Sequence, residues 1–221
     1  MSRATHDANV ERVLALIADR RHEDRRIIVA IAGPPASGKT TLAKDVVKRL
    51  KDEFGETGAA LLPMDGYHLD NDTLSNKGLL ARKGAVETFD QPSYCAAIKQ
   101  ASLTHERLLL PSFDRDQDAV VPRSICLEPE TKIVVTEGNY LLLDRTPWRD
   151  CHAYFSASVF VKAPLHVLEK RLYQRWADQG LSRDQAAQKV LGNDLPNAKL
   201  VLDESLPADL TIEHLNYDAL N

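Results

Sequence analysis

Residues 27 to 44 read Ile27-Ile-Val-Ala-Ile-Ala-Gly33-Pro-Pro-Ala-Ser-Gly38-Lys39-Thr40-Thr41-Leu-Ala-Lys44, and the rest of the chain can be interpreted from this segment. The part from Gly33 to Thr40 fits G-x-x-x-x-G-K-[ST], the pattern of a phosphate-binding loop. A pattern this short also matches by chance, so the flanking residues must decide whether it forms such a loop.

The residues on both sides of the loop supply that context. The run 27–32 has no polar residue and predicts a strand buried on both faces of a parallel sheet. After the loop, apolar side chains recur at helical spacing at Leu42, Val46, Leu50 and Phe54. A strand, a glycine-rich loop and a helix in this order make the pattern specific.

The residue types of the loop predict a nucleoside triphosphate site. Its two pattern glycines let backbone N–H groups turn inward around a polyphosphate, and the new helix adds its positive end. Lys39 would reach the β- and γ-phosphates, and the Thr40 hydroxyl would ligate Mg²⁺. The alternative is a strand-to-helix turn without a ligand. The residues expected to bind the nucleotide are Gly33, Pro34, Pro35, Ala36, Ser37, Gly38, Lys39, Thr40 and Thr41.

Length and composition restrict the class of protein. The 221 residues favour one domain with an insertion over two domains, and 43% hydrophobic with 27% charged residues is ordinary for a globular protein. A net charge of −4 argues against a general nucleic-acid partner. Cys95, Cys126 and Cys151 are scattered, which fits a reducing compartment and gives no support to zinc. Without a signal-peptide pattern or an apolar spanning run, we expect a cytoplasmic protein with no membrane partner.

Helix-like and strand-like segments alternate along the chain, which predicts a mostly parallel sheet with helices on both faces. The predicted helices outside the loop helix are 7–19, a helix capped by Ser93, 164–178 with Pro164 in its first turn, a helix capped by Ser182, and 197–204. The predicted strands after the first are 58–64, 108–113, 123–127, 132–136, 158–162 and 208–213. The segments 108–113 and 123–127 could pair as a hairpin around the loop 114–122, and 70–92 is expected to be loop with short helical pieces.

Asp65 comes directly after the second predicted strand. Ligands of parallel α/β sheets bind at the carboxyl ends of the strands, so Asp65 is expected at the same edge as the phosphate-binding loop. A carboxylate there could accept the proton of a substrate hydroxyl as that hydroxyl attacks the γ-phosphate. The alternative is that Asp65 and Gly66 only form a turn.

Glu137 follows the β-branched run 133–136. An acidic residue at this place holds Mg²⁺ in phosphate-loop enzymes, so Glu137 and Thr40 are the predicted metal ligands. The alternative is an exposed glutamate at the end of a strand.

Arg171 and Arg175 lie four residues apart on the helix that follows strand 158–162. Arginines on a mobile segment could clamp the phosphates during transfer and exclude water. The alternative is a solvated basic face with no ligand.

Taken together, these residues resemble the phosphoribulokinase, uridine kinase and pantothenate kinase group of small-molecule P-loop kinases. The resemblance spans residues 27 to about 205, and within the group the chain is most similar to bacterial proteins named as fructose transport system kinases or nucleoside/nucleotide kinase-family proteins. The matching blocks are Gly33-Pro-Pro-Ala-Ser-Gly-Lys-Thr-Thr41, Met64-Asp65-Gly66-Tyr67-His68, Arg82-Lys83-Gly84-Ala-Val-Glu87-Thr88-Phe89-Asp90, Pro111-Ser-Phe113-Asp114-Arg115 and Val134-Val-Thr-Glu137-Gly138-Asn139-Tyr140.

The resemblance implies an α/β three-layer sandwich with a five-stranded parallel sheet in the order 2-3-1-4-5. It implies one kinase domain over 1–221, with an acceptor-binding insertion at 65–131 and a lid at about 171–192. Asp65 would be the base, and Glu137 would lie near the metal. The chain departs from two members of the group. It is short for a bacterial pantothenate kinase, and it has Gln179 and Leu181 where uridine kinases carry arginines beside the glycine after the lid helix.

The expected function is ATP-dependent phosphorylation of a hydroxyl on a small molecule, with Mg²⁺ as the metal. Mixed donors and acceptors suit a polyol, so a sugar is the first choice, and a phosphorylated sugar, pantothenate or a nucleoside such as uridine stay open. The residues expected at the acceptor are Tyr67, His68, Arg82, Glu87, Asp114, Arg115 and Asn139.

A nucleotide-binding regulator without an acceptor is the alternative from another class. A guanine-specific switch needs Asn-Lys-x-Asp, whereas the Asn-Lys pair of this chain reads Asn76-Lys77-Gly78-Leu79. The presence of Lys39, Thr40, Asp65 and Glu137 together favours an enzyme. The sequence leaves the oligomeric state open.

Overall fold

The computed structural model of the protein describes residues 3–21 and 25–213. The helices are α1 (Arg3–Arg20), α2 (Lys39–Phe54), α3 (Asn71–Asn76), α4 (Gln91–Leu103), α5 (Leu165–Asp178), α6 (Arg183–Lys189) and α7 (Leu195–Glu204). The strands are β1 (Ile27–Ala32), β2 (Ala59–Pro63), β3 (Leu108–Asp114), β4 (Ala119–Leu127), β5 (Ile133–Gly138), β6 (Ala157–Lys162) and β7 (Leu210–Glu213). Short 3₁₀ turns cover Met64–Tyr67, Leu80–Arg82, Val86–Thr88 and Trp148–Tyr154, and a π-helical turn covers Val190–Asp194.

The main sheet is parallel and has the order β2-β5-β1-β6-β7. Counted along the chain without the hairpin strands, this is 2-3-1-4-5, so the predicted sheet order is confirmed. β1 and β5 pair from Ile27 opposite Ile133 to Ala32 opposite Gly138, and every residue of both strands is buried. Their unbroken apolar character follows from this central position, where both faces of a strand are covered.

Alternate side chains of β1 point into two separate cores, as the two-residue period of a strand requires. Ile27, Val29 and Ile31 pack with α1 and α2 on one face. Ile28 and Ala30 belong to the core on the other face, which is formed with α4, α7 and the segment after β5. The three-layer arrangement is therefore confirmed.

The predicted hairpin is also confirmed, but its loop is shorter than expected. β3 and β4 pair antiparallel out to Asp114 opposite Ala119. The Asp114 carboxylate accepts hydrogen bonds from the backbone N–H groups of Asp116 (2.9 Å) and Gln117 (3.0 Å) and so closes the turn. Asx turns of this kind stabilise short connections between strands.

Two helix starts differ from the prediction. α4 begins at Gln91, and its cap is Asp90, whose carboxylate accepts the N–H of Ser93 at 3.2 Å, so the prediction that Ser93 caps the helix was wrong. Pro164 precedes α5 and caps it, rather than lying in its first turn. The predicted Ser182 cap of α6 is confirmed, and Gln185 completes a capping box with it.

Among the helices in the described ranges, none has the length and apolar character needed to cross a membrane.

Candidate active site

The carboxyl ends of three neighbouring strands meet at one edge of the sheet and open into a cleft of ≈ 820 Å³. β1 leads into the phosphate-binding loop, β2 into Asp65 and β5 into Glu137. The phosphate-loop half of the cleft is lined by Pro35, Ala36, Gly38, Lys39, Thr40, Glu137 and Asn139. Residues from the segment α5 to α7 also line the cleft, namely Arg175, Trp176, Gln179, Lys189, Asp194 and Asn197. The insertion half is lined by Asp65, His68, Asn71, Leu80, Lys83, Gly84, Phe89, Phe113, Arg115 and Asp118.

The phosphate-binding loop has a backbone that few residues could adopt. A Cβ on Gly33 would lie 2.5 Å from the carbonyl oxygen of Val161, so the close approach of loop and β6 requires glycine. Gly38 has φ +93°, and Ala36 also has a left-handed φ of +62°. The buried hydroxyl of Ser37 has no hydrogen-bond partner among the described residues, but Ser37 does not line the cleft. The loop's backbone is therefore the evidence for a ligand. These features fit a bound polyphosphate.

Not every predicted loop residue faces the cleft. Five of the nine line it, whereas Gly33, Pro34, Ser37 and Thr41 do not. The Pro34 carbonyl accepts the N–H of Ser37 at 3.2 Å, and Thr41 is exposed on the helix.

At the start of α2, the buried Lys39 and the half-buried Thr40 lie beside the buried Glu137 of β5. The Thr40 hydroxyl donates to Glu137 Oε1 at 3.1 Å, and Glu137 is 4% exposed. Burial raises the pKa of Glu137, and the positive charge of Lys39 opposes that rise. Burial lowers the pKa of the Lys39 ammonium, while Glu137 and Asp65 act to raise it. The glutamate is therefore not the exposed strand-end residue of the alternative interpretation.

The oxygen atoms of Thr40 and Glu137 fit a magnesium ion, which prefers hard oxygen ligands. In the described part of the chain, no group of three or more His, Cys, Asp or Glu side chains could enclose a metal.

Asp65 lies where the second strand ends, at the second position of the 64–67 turn, and its carboxylate is 26% exposed. Its Oδ2 accepts a hydrogen bond from Arg115 Nη2 at 2.8 Å. Arg115 comes from the turn of the β3–β4 hairpin, so the insertion reaches back to the strand end. The ion pair uses one carboxylate oxygen, so Oδ1 can receive a hydroxyl from the cleft.

The His68 ring contacts the rings of two phenylalanines at tilted angles of 41° for Phe89 and 38° for Phe113. Ring centroids are 4.1 Å apart for His68 and Phe89, and 4.7 Å apart for His68 and Phe113. His68 Nδ1 donates to the Asp65 carbonyl at 2.9 Å, which leaves Nε2 as an acceptor in the neutral ring. Burial lowers the pKa of His68, and the nearby Asp65 opposes this in part.

This pKa shift predicts a pH dependence of stability that His68→Asn should remove, since Asn can keep the bond to the Asp65 carbonyl. Because the folded pKa lies below the unfolded one, the unfolded chain takes up the proton first as the pH falls. The stability difference between wild type and His68→Asn should therefore be largest above the ordinary pKa of histidine and shrink below it. Thermal unfolding of both proteins from about pH 8 to about pH 5.5 measures this. A difference that stays constant over that range would contradict the neutral, buried state of His68.

Four residues predicted to touch the acceptor do not line the cleft. Tyr67 is buried, and its ring packs in a T-shaped arrangement with the Tyr94 ring, with the two ring centroids 5.3 Å apart. Arg82 and Glu87 form an ion pair with each other at 3.2 Å, and Asp114 closes the hairpin turn. Of the predicted acceptor residues, His68, Arg115 and Asn139 do line the cleft.

The α5 arginines take different positions. Arg171 Nη1 donates to the Ala36 carbonyl of the phosphate-binding loop at 3.2 Å. Arg175 lines the cleft, and its guanidinium lies 5.4 Å from the centre of the Trp176 ring. Both contact the site from the helix side, so neither belongs to a fully solvated basic face.

A hydrogen-bond network that the sequence did not predict supports Arg175. The Trp176 indole N–H donates to Asp194 Oδ2 at 2.6 Å, and Asp194 lies in the π-helical turn between α6 and α7. In the same turn, Asn193 donates to the Lys83 carbonyl at 3.0 Å, which joins the α5–α7 segment to the insertion. π-Helical turns are rare and often occur at functional sites.

Other cleft residues were also missed. Lys83, Phe89 and Phe113 stood inside the blocks that carried the family resemblance, which was the available signal for them. Asn71, Asp118, Lys189 and Asp194 carried no local signal, because only the fold brings them to the cleft.

Comparison with known proteins adds three similar chains, although no protein-family model matches. The solved structure of a protein from Silicibacter sp. TM1040, provisionally named a fructose transport system kinase, is 38% identical with a TM-score of 0.85 and covers 92% of this chain and 98% of its own. The uncharacterised protein YggC of Escherichia coli K12 is 32% identical over 86% of this chain and 78% of its own length.

A protein of Schizosaccharomyces pombe, provisionally named a uridine kinase, is 28% identical over 96% of this chain and 92% of its own length. Other similar proteins are named uridine kinase or ATP-dependent kinase. All of these names except that of YggC describe a kinase, and the acceptors they name differ.

Proposed function

Because the chain belongs to the family of P-loop small-molecule kinases, we propose that it transfers the γ-phosphate of ATP to a hydroxyl of a small molecule, with a sugar as the first choice of acceptor. In this proposal, residues 65–131 form the acceptor-binding insertion and residues at about 171–192 form the lid. Asp65 is the base, and Lys39 with the phosphate-binding loop holds the nucleotide.

The observation that carries the proposal is the adjacency of three charged side chains at the ends of β2, β5 and β1. Asp65 lies just after β2, Glu137 lies near the end of β5, and Lys39 follows the loop that begins where β1 ends. These strands are neighbours in the sheet, and the three residues line one cleft. A nucleotide-binding regulator would need Lys39 and Glu137 but would have no use for a second carboxylate that faces the same space. Asp65 is thus the residue that favours transfer to an acceptor.

The reaction joins an acceptor oxygen to the γ-phosphorus and breaks the bond from that phosphorus to ADP. Asp65 Oδ1 would accept the hydroxyl hydrogen, orient the nucleophile and take its proton. Lys39, the loop amides and Arg175 would stabilise the charge on the transferring phosphoryl group, while Arg171 would hold α5 against the loop. Positioning and electrostatics supply most of the catalysis in such a transfer.

Thr40 and Glu137 are the residues that would hold Mg²⁺, which neutralises part of the phosphate charge when it is bound. The hydrogen bond of 3.1 Å between their side chains means that the two oxygens already lie next to each other. Because the ion would bind the phosphates, both residues act in this proposal on the nucleotide and not on the acceptor.

The preference for a sugar has two supports. The relative at 38% identity is provisionally named a fructose transport system kinase. The rings of His68, Phe89 and Phe113, of which His68 contacts the other two at tilted angles, line the cleft beside polar groups, and such a surface suits a sugar ring with an apolar face and several hydroxyls. The relatives named uridine kinase make a nucleoside the main alternative acceptor.

The proposal is tested by measuring ADP formation from Mg·ATP with separate acceptors. The panel contains fructose and other hexoses, pentoses, their phosphates, uridine, cytidine and pantothenate. We expect one acceptor to raise the rate well above the acceptor-free hydrolysis. If no acceptor does so while the protein binds Mg·ATP, the regulator alternative replaces the kinase proposal.

A further inference from the structure

We propose that Arg115 is a further catalytic residue, which binds an oxygen of the γ-phosphoryl group during transfer while it keeps its hydrogen bond to Asp65. This inference rests on the proposed function and adds a residue to its catalytic machinery. The sequence predicted Arg115 as a contact of the acceptor, whereas its place in the fold favours a contact with the group that is transferred.

The β3–β4 hairpin brings Arg115 to the carboxyl ends of the sheet strands and holds it there. A Cβ on Gly66 would lie 2.5 Å from the Pro111 carbonyl oxygen, so β3 packs directly against the turn that contains the proposed base. Beyond the hairpin turn, Asp118 Oδ1 forms an ion pair with Lys83 Nζ at 2.8 Å. The turn that carries Arg115 is therefore fixed to the insertion on both sides.

A short series of contacts joins Arg115 to the nucleotide site. Arg115 Nη2 donates to Asp65 Oδ2 at 2.8 Å. The preceding residue, Met64, packs so closely against Gly138 that a Cβ on this glycine would lie 2.5 Å from Met64 Cβ. The residue before Gly138 is Glu137, whose carboxylate accepts a hydrogen bond from the start of α2 at 3.1 Å. The guanidinium of Arg115 and the phosphate-binding loop thus lie at the same end of the sheet.

The charge of Arg115 acts on three ionisable groups around this end of the cleft. Burial is the main cause of the lowered pKa of Lys39 and of Arg175, and the positive charge of Arg115 lowers both pKa values further. Burial raises the pKa of Glu137, and Arg115 opposes that rise. Such effects weaken with distance, so they agree with a guanidinium that lies close to residues of α2, α5 and β5.

Arg115 has N–H groups that a ligand can use. A guanidinium carries five N–H donors, and in the described part of the chain Arg115 makes one hydrogen bond, the one to Asp65. Its side chain is 55% exposed and lines the cleft, so a ligand in the cleft can reach the remaining donors. One guanidinium can therefore hold the base and an oxygen of a bound anion at the same time.

The transferring phosphoryl group is an anion that suits this position. Three cations, Lys39, Arg115 and Arg175, line one cleft beside the carboxylates of Asp65 and Glu137. Like charges repel one another, and an anion that binds among the cations relieves this repulsion. During transfer, negative charge spreads over the three equatorial oxygens of the phosphoryl group, where an arginine stabilises it.

The position of Arg115 also suits the geometry of the transfer. The acceptor oxygen forms a bond to the γ-phosphorus, the bond from that phosphorus to the ADP oxygen breaks, and the hydroxyl proton goes to Asp65. A residue that contacts both the base and the phosphoryl group fixes the distance between them. Arg115 would therefore contribute to the alignment of the attack as well as to charge stabilisation.

The first experiment measures catalysis by Arg115→Met, which removes the charge and keeps most of the side-chain length. With the best acceptor of the panel, we expect kcat to fall about 10²-fold, with little change in the KM of the acceptor or the Kd of ATP. Arg115→Lys keeps the charge but not the planar fork, so it should recover only part of the rate. The matched control is Arg107→Met, which makes the same change at an exposed residue just before β3 and should keep normal turnover.

The second experiment measures binding with aluminium fluoride, which imitates the transferring phosphoryl group beside Mg·ADP. With the same acceptor present, the wild type should bind Mg·ADP more tightly when aluminium fluoride is added. Arg115→Met should bind Mg·ADP normally and lose about tenfold or more of that gain. The double variant of Asp65→Asn with Arg115→Met should lose more of the gain than Asp65→Asn alone, because a direct contact does not act through the base.

The outcomes separate this inference from other roles of Arg115 and from the proposed function. A raised acceptor KM with unchanged kcat would make Arg115 an acceptor-binding residue and overturn the inference. A gain from aluminium fluoride that is absent in the wild type or undiminished in Arg115→Met would also overturn it. Equal gains in Asp65→Asn and the double variant would reduce Arg115 to a residue that only positions the base. If Mg·ATP binds but no acceptor of the panel is phosphorylated, the proposed function itself falls, and this inference falls with it.

Discussion

Asp65→Asn should reduce acceptor-dependent turnover about 10²- to 10⁴-fold, the usual contribution of a positioned general base. Asn can still accept a hydrogen bond from Arg115, but it cannot take the proton of the attacking hydroxyl. ATP binding should stay intact, because the expected nucleotide contacts come from the phosphate-binding loop and not from the 64–67 turn. The measurement is steady-state turnover with the best acceptor, together with the Kd of ATP.

The control for this variant is Asp72→Asn, an exposed residue of α3 that does not line the cleft. It makes the same change of charge and should keep normal turnover. Folding is not expected to suffer in Asp65→Asn, because ion pairs as exposed as that of Asp65 and Arg115 contribute little to stability. Near-normal turnover in Asp65→Asn would show that the base has been assigned to the wrong residue.

Lys39→Ala should abolish tight ATP binding and lower turnover about 10²- to 10³-fold or more, the range seen when one preorganised donor to a developing charge is removed. Lys39 is the buried cation of the phosphate-loop half, and it faces Glu137 and Asp65. Without it, nothing opposes the effect of burial on Glu137 as strongly, and the pKa of Glu137 should rise further. The Kd of ATP measures the expected loss of binding, and the turnover number measures the expected loss of catalysis.

Two further variants separate charge from packing. Lys39→Met keeps most of the side-chain volume, so it should show the same loss as Lys39→Ala if the charge is what matters. Lys44→Ala removes an exposed lysine of the same helix and should bind ATP normally. If Lys39→Met bound and used ATP like the wild type, the nucleotide site would have to lie elsewhere.

The sequence was most informative where neighbouring residues determine the structure. The apolar run 27–32, the two loop glycines and the helical spacing after Lys39 all act within one strand–loop–helix unit. Its strand has the predicted bounds, and its helix includes all four positions of the predicted spacing. The strand order came from the family resemblance, because periodicity alone does not tell which strands are neighbours. The β3–β4 hairpin was found because its two strands are adjacent in the chain.

The cleft was only partly predictable, for a physical reason. Asp65 and Glu137 could be identified because strand ends are marked locally and parallel strands end at the same edge. Tyr67 and Asp114 stand in the same family-like blocks, yet the fold uses one for packing and the other for a turn. Sequence position could not separate these structural uses from contact with an acceptor.

Contacts between residues that are distant in the sequence could not be predicted. The hydrogen bond from Trp176 to Asp194 depends on the π-helical turn, and no local sequence pattern predicts that turn. Lys83 and Asp118 meet because the hairpin folds back over the 71–83 segment. Both contacts are therefore properties of the fold and not of a local sequence pattern.

The central claim is that this protein moves a phosphoryl group from ATP to a hydroxyl with Asp65 as the base. The most direct measurement is mass spectrometry of the acceptor after incubation with Mg·ATP, for wild type and Asp65→Asn side by side. We predict an acceptor that gains one phosphoryl group with the wild type, in step with ADP formation, and almost none with the variant. ADP formation without a phosphorylated acceptor, or equal product with Asp65→Asn, would contradict the claim.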